Sequence, residues 1–122
     1  MIDTHCHIDD GIFLPELEAI VARQREAGVE AILVPGINMQ SVESVMRVCK
    51  AFPNYLYPAL GLHPEEVKKD WQDNLLHIRE AINQIGCYPE AGQGVIAIGE
   101  IGLDYYWSKE FANEQKDAFM EQ

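Results

Sequence analysis

His5 and His7 lie one residue apart in the run Asp3-Thr4-His5-Cys6-His7, at the close of the first apolar stretch. In an extended strand side chains alternate faces, so the two imidazoles share a face about 6.6 Å apart along the chain. Neutral imidazole is a common ligand for zinc, manganese and iron, and two on one face converge on one divalent ion without distant loops. The competing reading is a pair of polar residues at a solvated strand end. The second group is Glu100, in Gly99-Glu100-Ile101-Gly102-Leu103-Asp104 at the close of the last apolar stretch. A carboxylate there must be paired, hydrogen-bonded or metal-bound, because an isolated buried charge is very costly. Its simplest partner is a cation beside His5 and His7, and a bridging carboxylate can hold two ions about 3.5–4 Å apart. The alternative is a salt bridge, which 9 basic residues against 20 acidic ones make less available.

His63, in Gly61-Leu62-His63-Pro64, is the third group. It can contact a substrate phosphate or move a proton, and equally it can bond to backbone and shape the turn. Glu100 and His63 are the candidate catalytic residues; His5, His7 and Glu100 are the candidate metal ligands. Asp104 is read as ordering its loop or supporting a metal-binding histidine, Asp3 as a supporting or structural carboxylate, and Asp9 and Asp10 as solvated loop residues. Strand alternation points Cys6 away from both histidines and into the core. His77 falls on a helix surface. Tyr105, Tyr106 and Trp107 can stack a base, although such residues more often pack a loop down against the fold. Gly99 and Gly102 are read as allowing close backbone approach.

The elements that must position these groups alternate strand and helix. Strands are expected over Met1 to Thr4, Val29 to Pro35, Tyr55 to Leu62 and Val95 to Ile101. Helices are expected over Pro15 to Ala27, Ser41 to Phe52, Asn74 to Ile85 and Glu110 to Gln122, with a loop over Gly86 to Gly94. Apolar spacing carries each helix, as in Val42, Val45, Met46 and Cys49, with Ser41 as N-cap and Pro53 as the stop. Four strand–helix repeats signal an α/β fold of parallel units, and runs such as Ala31 to Val34 and Val95 to Ile98 read as strands buried on both faces. Each strand ends in candidate chemistry, and active sites in parallel α/β folds gather at the C-terminal strand ends.

A chain of 122 residues makes one domain at most. Its net charge of −11 excludes broad coating of nucleic acid by basic residues, though not an enzyme whose metals supply the positive charge. Cys6, Cys49 and Cys87 form no CxxC, so reduced thiols and a cytoplasmic location are expected. Met1-Ile2-Asp3 lacks the features of a signal peptide, and no apolar run approaches the roughly 20 residues that span a bilayer.

Asp-Thr-His-Cys-His at the start, Ala-Leu-Gly-Leu-His-Pro in the middle and Ala-Ile-Gly-Glu-Ile-Gly-Leu-Asp-Tyr-Tyr near the end resemble the TatD family of metal-dependent hydrolases, chiefly deoxyribonucleases. The likeness runs through the whole chain and includes Gln115, Phe119 and Gln122 in the last helix. It implies a TIM-type (β/α)8 barrel with two divalent ions (zinc, magnesium or manganese), His5 and His7 as ligands and Glu100 bridging. His63 matches a site-lining segment. The implied reaction is hydrolysis of phosphodiester bonds in DNA, or in RNA, with 3′-to-5′ direction. Ordinary barrels run to about 250 residues, so residues 1–122 are expected to be the N-terminal half of such a domain. Two more histidines and an aspartate of the family's site are missing, and raw edges at the first and fourth strands favour self-association. The alternatives are an inactive half-barrel and a related amidohydrolase acting on another ester or amide.

Overall fold

The computed structural model describes residues 1–86, 94–107 and 109–122. The chain runs β1 (Ile2–Asp3), α1 (Leu17–Glu26), β2 (Ala31–Gly36), α2 (Met39–Ala51), β3 (Leu56–Leu60), α3 (Trp71–Ile85), β4 (Ala97–Ile98) and α4 (Ala112–Glu121). Single 3-10 turns occupy Leu14–Glu16 and Pro64–Glu66. The four strands form one parallel sheet in the order β1-β2-β3-β4. Register is set by pairs such as Asp3 with Ile32, Gly36 with Leu60, and Leu60 with Ile98. This is a half-barrel of parallel βα units, as the sequence pattern leads one to expect.

One face of the sheet is closed by helices. Ile32, Val34, Leu56 and Leu60 meet Val45, Val48 and Ile78 in a continuous core. Each such side chain taken out of water contributes about 1.5–3 kcal/mol. The other face is open: Ile2, Ala31, Leu33, Tyr57 and Ile96 line a shallow apolar cavity of about 350 Å³. The expectation of burial on both faces therefore fails for Val95 to Ile98, whose Ile96 is 44 % and Ile98 49 % exposed; the other outer strand, β1, leaves Ile2 62 % exposed. Within the described chain each of these strands has a neighbour on one side only.

Helix boundaries show where local chemistry overrode the expected ends. Helix α2 begins earlier than expected, because Asn38 rather than Ser41 is its N-cap: the Asn38 side chain accepts from the Ser41 N–H, and Ser41 Oγ accepts from the Asn38 N–H. That reciprocal arrangement satisfies two orphan helix-end groups. Pro15 belongs to the 3-10 turn that precedes α1, and α1 ends before Gly28, whose φ of +83° suits a residue without a Cβ. Helix α3 starts at Trp71, whose buried ring packs into the core. Most of the loop expected over Gly86 to Gly94, with Cys87, lies outside the described residues.

Candidate metal centre

The ends of all four strands are tied side by side. The Cys6 N–H donates to Leu33 O, the His63 N–H to Ile37 O, the Gly99 N–H to Leu60 O and the Glu100 N–H to Gly36 O. These bonds extend the ladder past the regular strands and bring His5, His7, His63 and Glu100 to one rim. The fit is tight at Gly61, where an added Cβ would stand 2.7 Å from Ile101 Cγ2 and 3.0 Å from the Gly99 carbonyl carbon. The expected close approach therefore falls on Gly61. Gly99 itself has room for a Cβ, and at Gly102 a φ of +148°, not crowding, favours glycine.

His5 Nε2 and His7 Nε2 stand 3.2 Å apart, and Glu100 Oε2 lies 3.4 Å from the first and 3.5 Å from the second. The three atoms form a nearly equilateral triangle. Ligands bonded to one ion at about 2.1 Å stand about 3.0–3.4 Å apart across octahedral to tetrahedral angles, so the spacing fits a shared divalent cation. It fits protein-only bonding less well, because two neutral imidazole nitrogens and a carboxylate bring mostly lone pairs to the same point. His5, His7 and Glu100 are also the group of side chains able to hold a metal among the described residues.

Two further contacts order the triangle. Asp3 Oδ1 accepts from the His5 N–H at 3.0 Å and fixes the backbone from which that ring projects. His63 Nδ1 accepts from the Glu65 N–H at 3.1 Å, while its Nε2 lies 3.3 Å from Glu100 Oε1. With Nδ1 an acceptor, the neutral ring carries its proton on Nε2, the nitrogen that faces Glu100. Of the two readings left open in its sequence, the backbone bond that shapes the turn is present, and the ring also lines the cleft into which the rim opens. Among the described residues the ion-pair partners of Glu100 are histidines, with no Lys or Arg.

The rim opens into a cleft of about 440 Å³ lined by His7, His63 and Glu100 together with Asp9, Asp10, Glu65 and Glu66. Among the described residues no Lys or Arg lines it. Such a lining attracts a divalent cation and repels a bare phosphate, so an anionic substrate needs the ion to enter.

Other side chains fall where expected, with two exceptions. Cys6 packs against the core, His77 is exposed on α3, and Asp10 is exposed with Oδ1 accepting from the Ile12 N–H. Asp9 is not a solvated loop residue: it is 9 % exposed and accepts from Ser44 Oγ at 2.7 Å. Asp104 does order its loop, with Oδ1 accepting from the Tyr106 N–H. Tyr106 and Trp107, however, do not pack down; both rings are exposed.

Sequence reasoning by position alone gave Gln115 and Gln122 no role. Buried Gln115 accepts from the Asp104 N–H at 2.9 Å. Gln122 accepts from the Leu62 N–H at 2.7 Å and donates to Leu62 O at 3.3 Å, holding the residue next to His63. The family resemblance was the signal that marked both.

Known proteins resemble this chain in sequence and fold. Residues 2–122 match the family model described as TatD related DNase. The uncharacterized metal-dependent hydrolase YabD of Bacillus subtilis is 30 % identical over 122 residues, covering all of this chain and 44 % of that protein. The 3′-5′ ssDNA/RNA exonuclease TatD of Pectobacterium carotovorum is 31 % identical, with the same coverage. The crystal structure of YjjV, a TatD homolog from Escherichia coli K12, superposes with a TM-score of 0.83 at 33 % identity, covering 99 % of this chain and 44 % of that one. The chain thus spans less than half the length of the relatives it matches.

Proposed function

The chain belongs to the TatD related DNase family, and from that premise we propose that it supplies the first part of a divalent-metal centre that hydrolyses phosphodiester bonds. The observation that carries the reading is the convergence of His5 Nε2, His7 Nε2 and Glu100 Oε2 to within 3.5 Å of one another. In this reading His5, His7 and Glu100 are the metal ligands, and Glu100 and His63 act in catalysis. Glu100, with His5 and His7, would hold the ions of the two-ion centre that the family resemblance implies, as its bridging carboxylate. When bound, the ions supply Lewis acidity, water activation and charge neutralisation at the phosphate. His63 holds a proton on Nε2 at the edge of the site and fixes the plane of the Glu100 carboxylate.

The substrate proposed is DNA, with RNA as a second polymer, cleaved in the 3′-to-5′ direction that the Pectobacterium relative's name carries. No helix among the described residues is long and apolar enough to cross a membrane. A cytoplasmic location is proposed on the free thiols of Cys6 and Cys49. The exposed apolar edges at Ile2 and Ile98 support association with further chain. Two other readings stay in view, because the chain covers 44 % of YabD and that relative's substrate is uncharacterized: an inactive half-barrel, and hydrolysis of a different ester or amide.

The test is release of nucleotides from 3′-labelled single-stranded DNA by residues 1–122 with Mg²⁺, Mn²⁺ or Zn²⁺. Metal-dependent release that disappears in Glu100→Gln supports the reading. Metal binding without release favours the inactive half-barrel. Release that survives both Glu100→Gln and the His5→Ala/His7→Ala pair overturns the assignment of the site.

A further inference from the structure

The loop after β4 displays two large rings. Tyr106 is 83 % and Trp107 73 % exposed, whereas the chain's other tryptophan, Trp71, is 6 % exposed. A single exposed apolar side chain is ordinary, but these two are built into an arrangement. Their centroids lie 4.8 Å apart with the ring planes at 89°, so each limits the other's rotation. The backbone beneath them is pinned: the Tyr106 N–H donates to Asp104 Oδ1, and the Asp104 N–H donates to the buried Gln115. An aromatic surface held this way loses little conformational entropy when a flat ligand docks on it.

Trp107 lines a cavity of about 360 Å³ with Val67, Lys68 and Phe111. Glu65 lines this cavity and also the cleft of the metal centre, so the two adjoin. The ligand class follows from the lining. Glu65, Asp104 and Glu110 face the cavity alongside one ammonium, that of Lys68. A lining in which acidic residues outnumber the basic one disfavours a phosphate and suits an uncharged flat ring. A nucleobase is such a ring. Only an unpaired base has both its faces and its hydrogen-bonding edge free.

We propose that Trp107, braced by Tyr106, is a stacking subsite for an unpaired nucleobase of the strand whose phosphate sits at His5, His7 and Glu100. The proposal rests on the phosphodiester reading and adds the residue on which one base of the strand stacks. Because every base has a π-face, the subsite tolerates any sequence.

The experiment uses residues 1–122 with Mg²⁺ and two dye-labelled probes of equal length: an oligothymidylate and the same backbone without bases. Binding is followed by fluorescence anisotropy for the wild type, Trp107→Ala, Trp107→Phe and Tyr106→Ala. Loss of one base stack weakens binding about tenfold. Trp107→Ala is therefore expected to bind oligothymidylate about tenfold more weakly and the abasic backbone unchanged, with Trp107→Phe restoring most of the loss and Tyr106→Ala showing a smaller one. Both positions are exposed, and an unchanged circular dichroism melt verifies the fold. If the wild type prefers oligothymidylate no more than the abasic backbone, or if Trp107→Ala binds as the wild type does, the subsite is refuted and the phosphodiester reading stands. If neither probe binds the wild type, the phosphodiester reading is refuted and the subsite with it.

Discussion

His63 offers the sharpest test of how the metal centre is built. Its Nδ1 is committed to the Glu65 N–H at 3.1 Å, which leaves Nε2–H facing Glu100 Oε1 at 3.3 Å. In the proposed metal-loaded centre the ring would donate to the carboxylate and would not itself be a ligand of the ion at His5 and His7. A hydrogen bond to a charged group contributes about 1.5–3 kcal/mol. Because the Glu100 side chain keeps 28 % of its exposure, solvent competes and the lower figure applies. His63→Ala is then expected to weaken Zn²⁺ or Mn²⁺ binding by about tenfold, at the low end of the roughly 10–100-fold typical for partners of metal ligands. His63→Gln keeps an N–H donor and is expected to recover part of the loss. Glu100→Gln is expected to exceed both, since it removes the anionic ligand itself. Competition titration against a chromophoric chelator measures all three variants. Unchanged affinity in His63→Ala would refute the supporting role. A loss as deep as that of His5→Ala, with no recovery in His63→Gln, would make His63 a ligand instead.

Four further outcomes are expected. Gly61→Ala forces a methyl against Ile101 and the Gly99 backbone, and urea unfolding should show a loss of about 1–3 kcal/mol together with weaker metal binding. Gln122→Ala strands the N–H and carbonyl of buried Leu62 and should cost about 1–2 kcal/mol in the same assay. Burial, and secondarily the charge of Asp9, pushes the Cys49 thiol from 9.0 up to about 12. Above pH 9 the unfolded chain releases a proton that the folded chain keeps, so stability should fall between pH 9 and 12, by up to about 4 kcal/mol across that span. Cys49→Ala should flatten that slope, and an unaltered slope would count against the burial argument. Finally, Ile96→Lys with Ile98→Lys charges the open β4 edge; sedimentation velocity should show less self-association than in the wild type, and equal association would place the contact elsewhere.

Much of the architecture is written in local pattern. Alternating apolar strands and amphipathic helices specify parallel βα order, because the backbone has few ways to bury both kinds of face at once. His5 and His7 were legible as a pair because a one-residue spacing puts both on one face of an extended chain. Glu100 was legible because an acid between glycines at the end of an apolar run has few comfortable partners. The capping box of α2 was misjudged by one turn, since Asn38 and Ser41 both have cap chemistry and only the path of the loop chooses between them. Asp9 gave no local sign of burial; its partner Ser44 comes from a helix more than thirty residues away in sequence.

The sequence alone determined the parallel fold, the two histidines and the glutamate, because each depends on spacing along one segment. Tertiary structure decided what depends on segments meeting. It set the triangle of His5, His7 and Glu100 atoms, the facing of the His63 ring, the crowding at Gly61, and the exposure of Tyr106 and Trp107. A side chain's own neighbours fix its facing, but the ring or carbonyl opposite it is placed by the packing of the whole sheet.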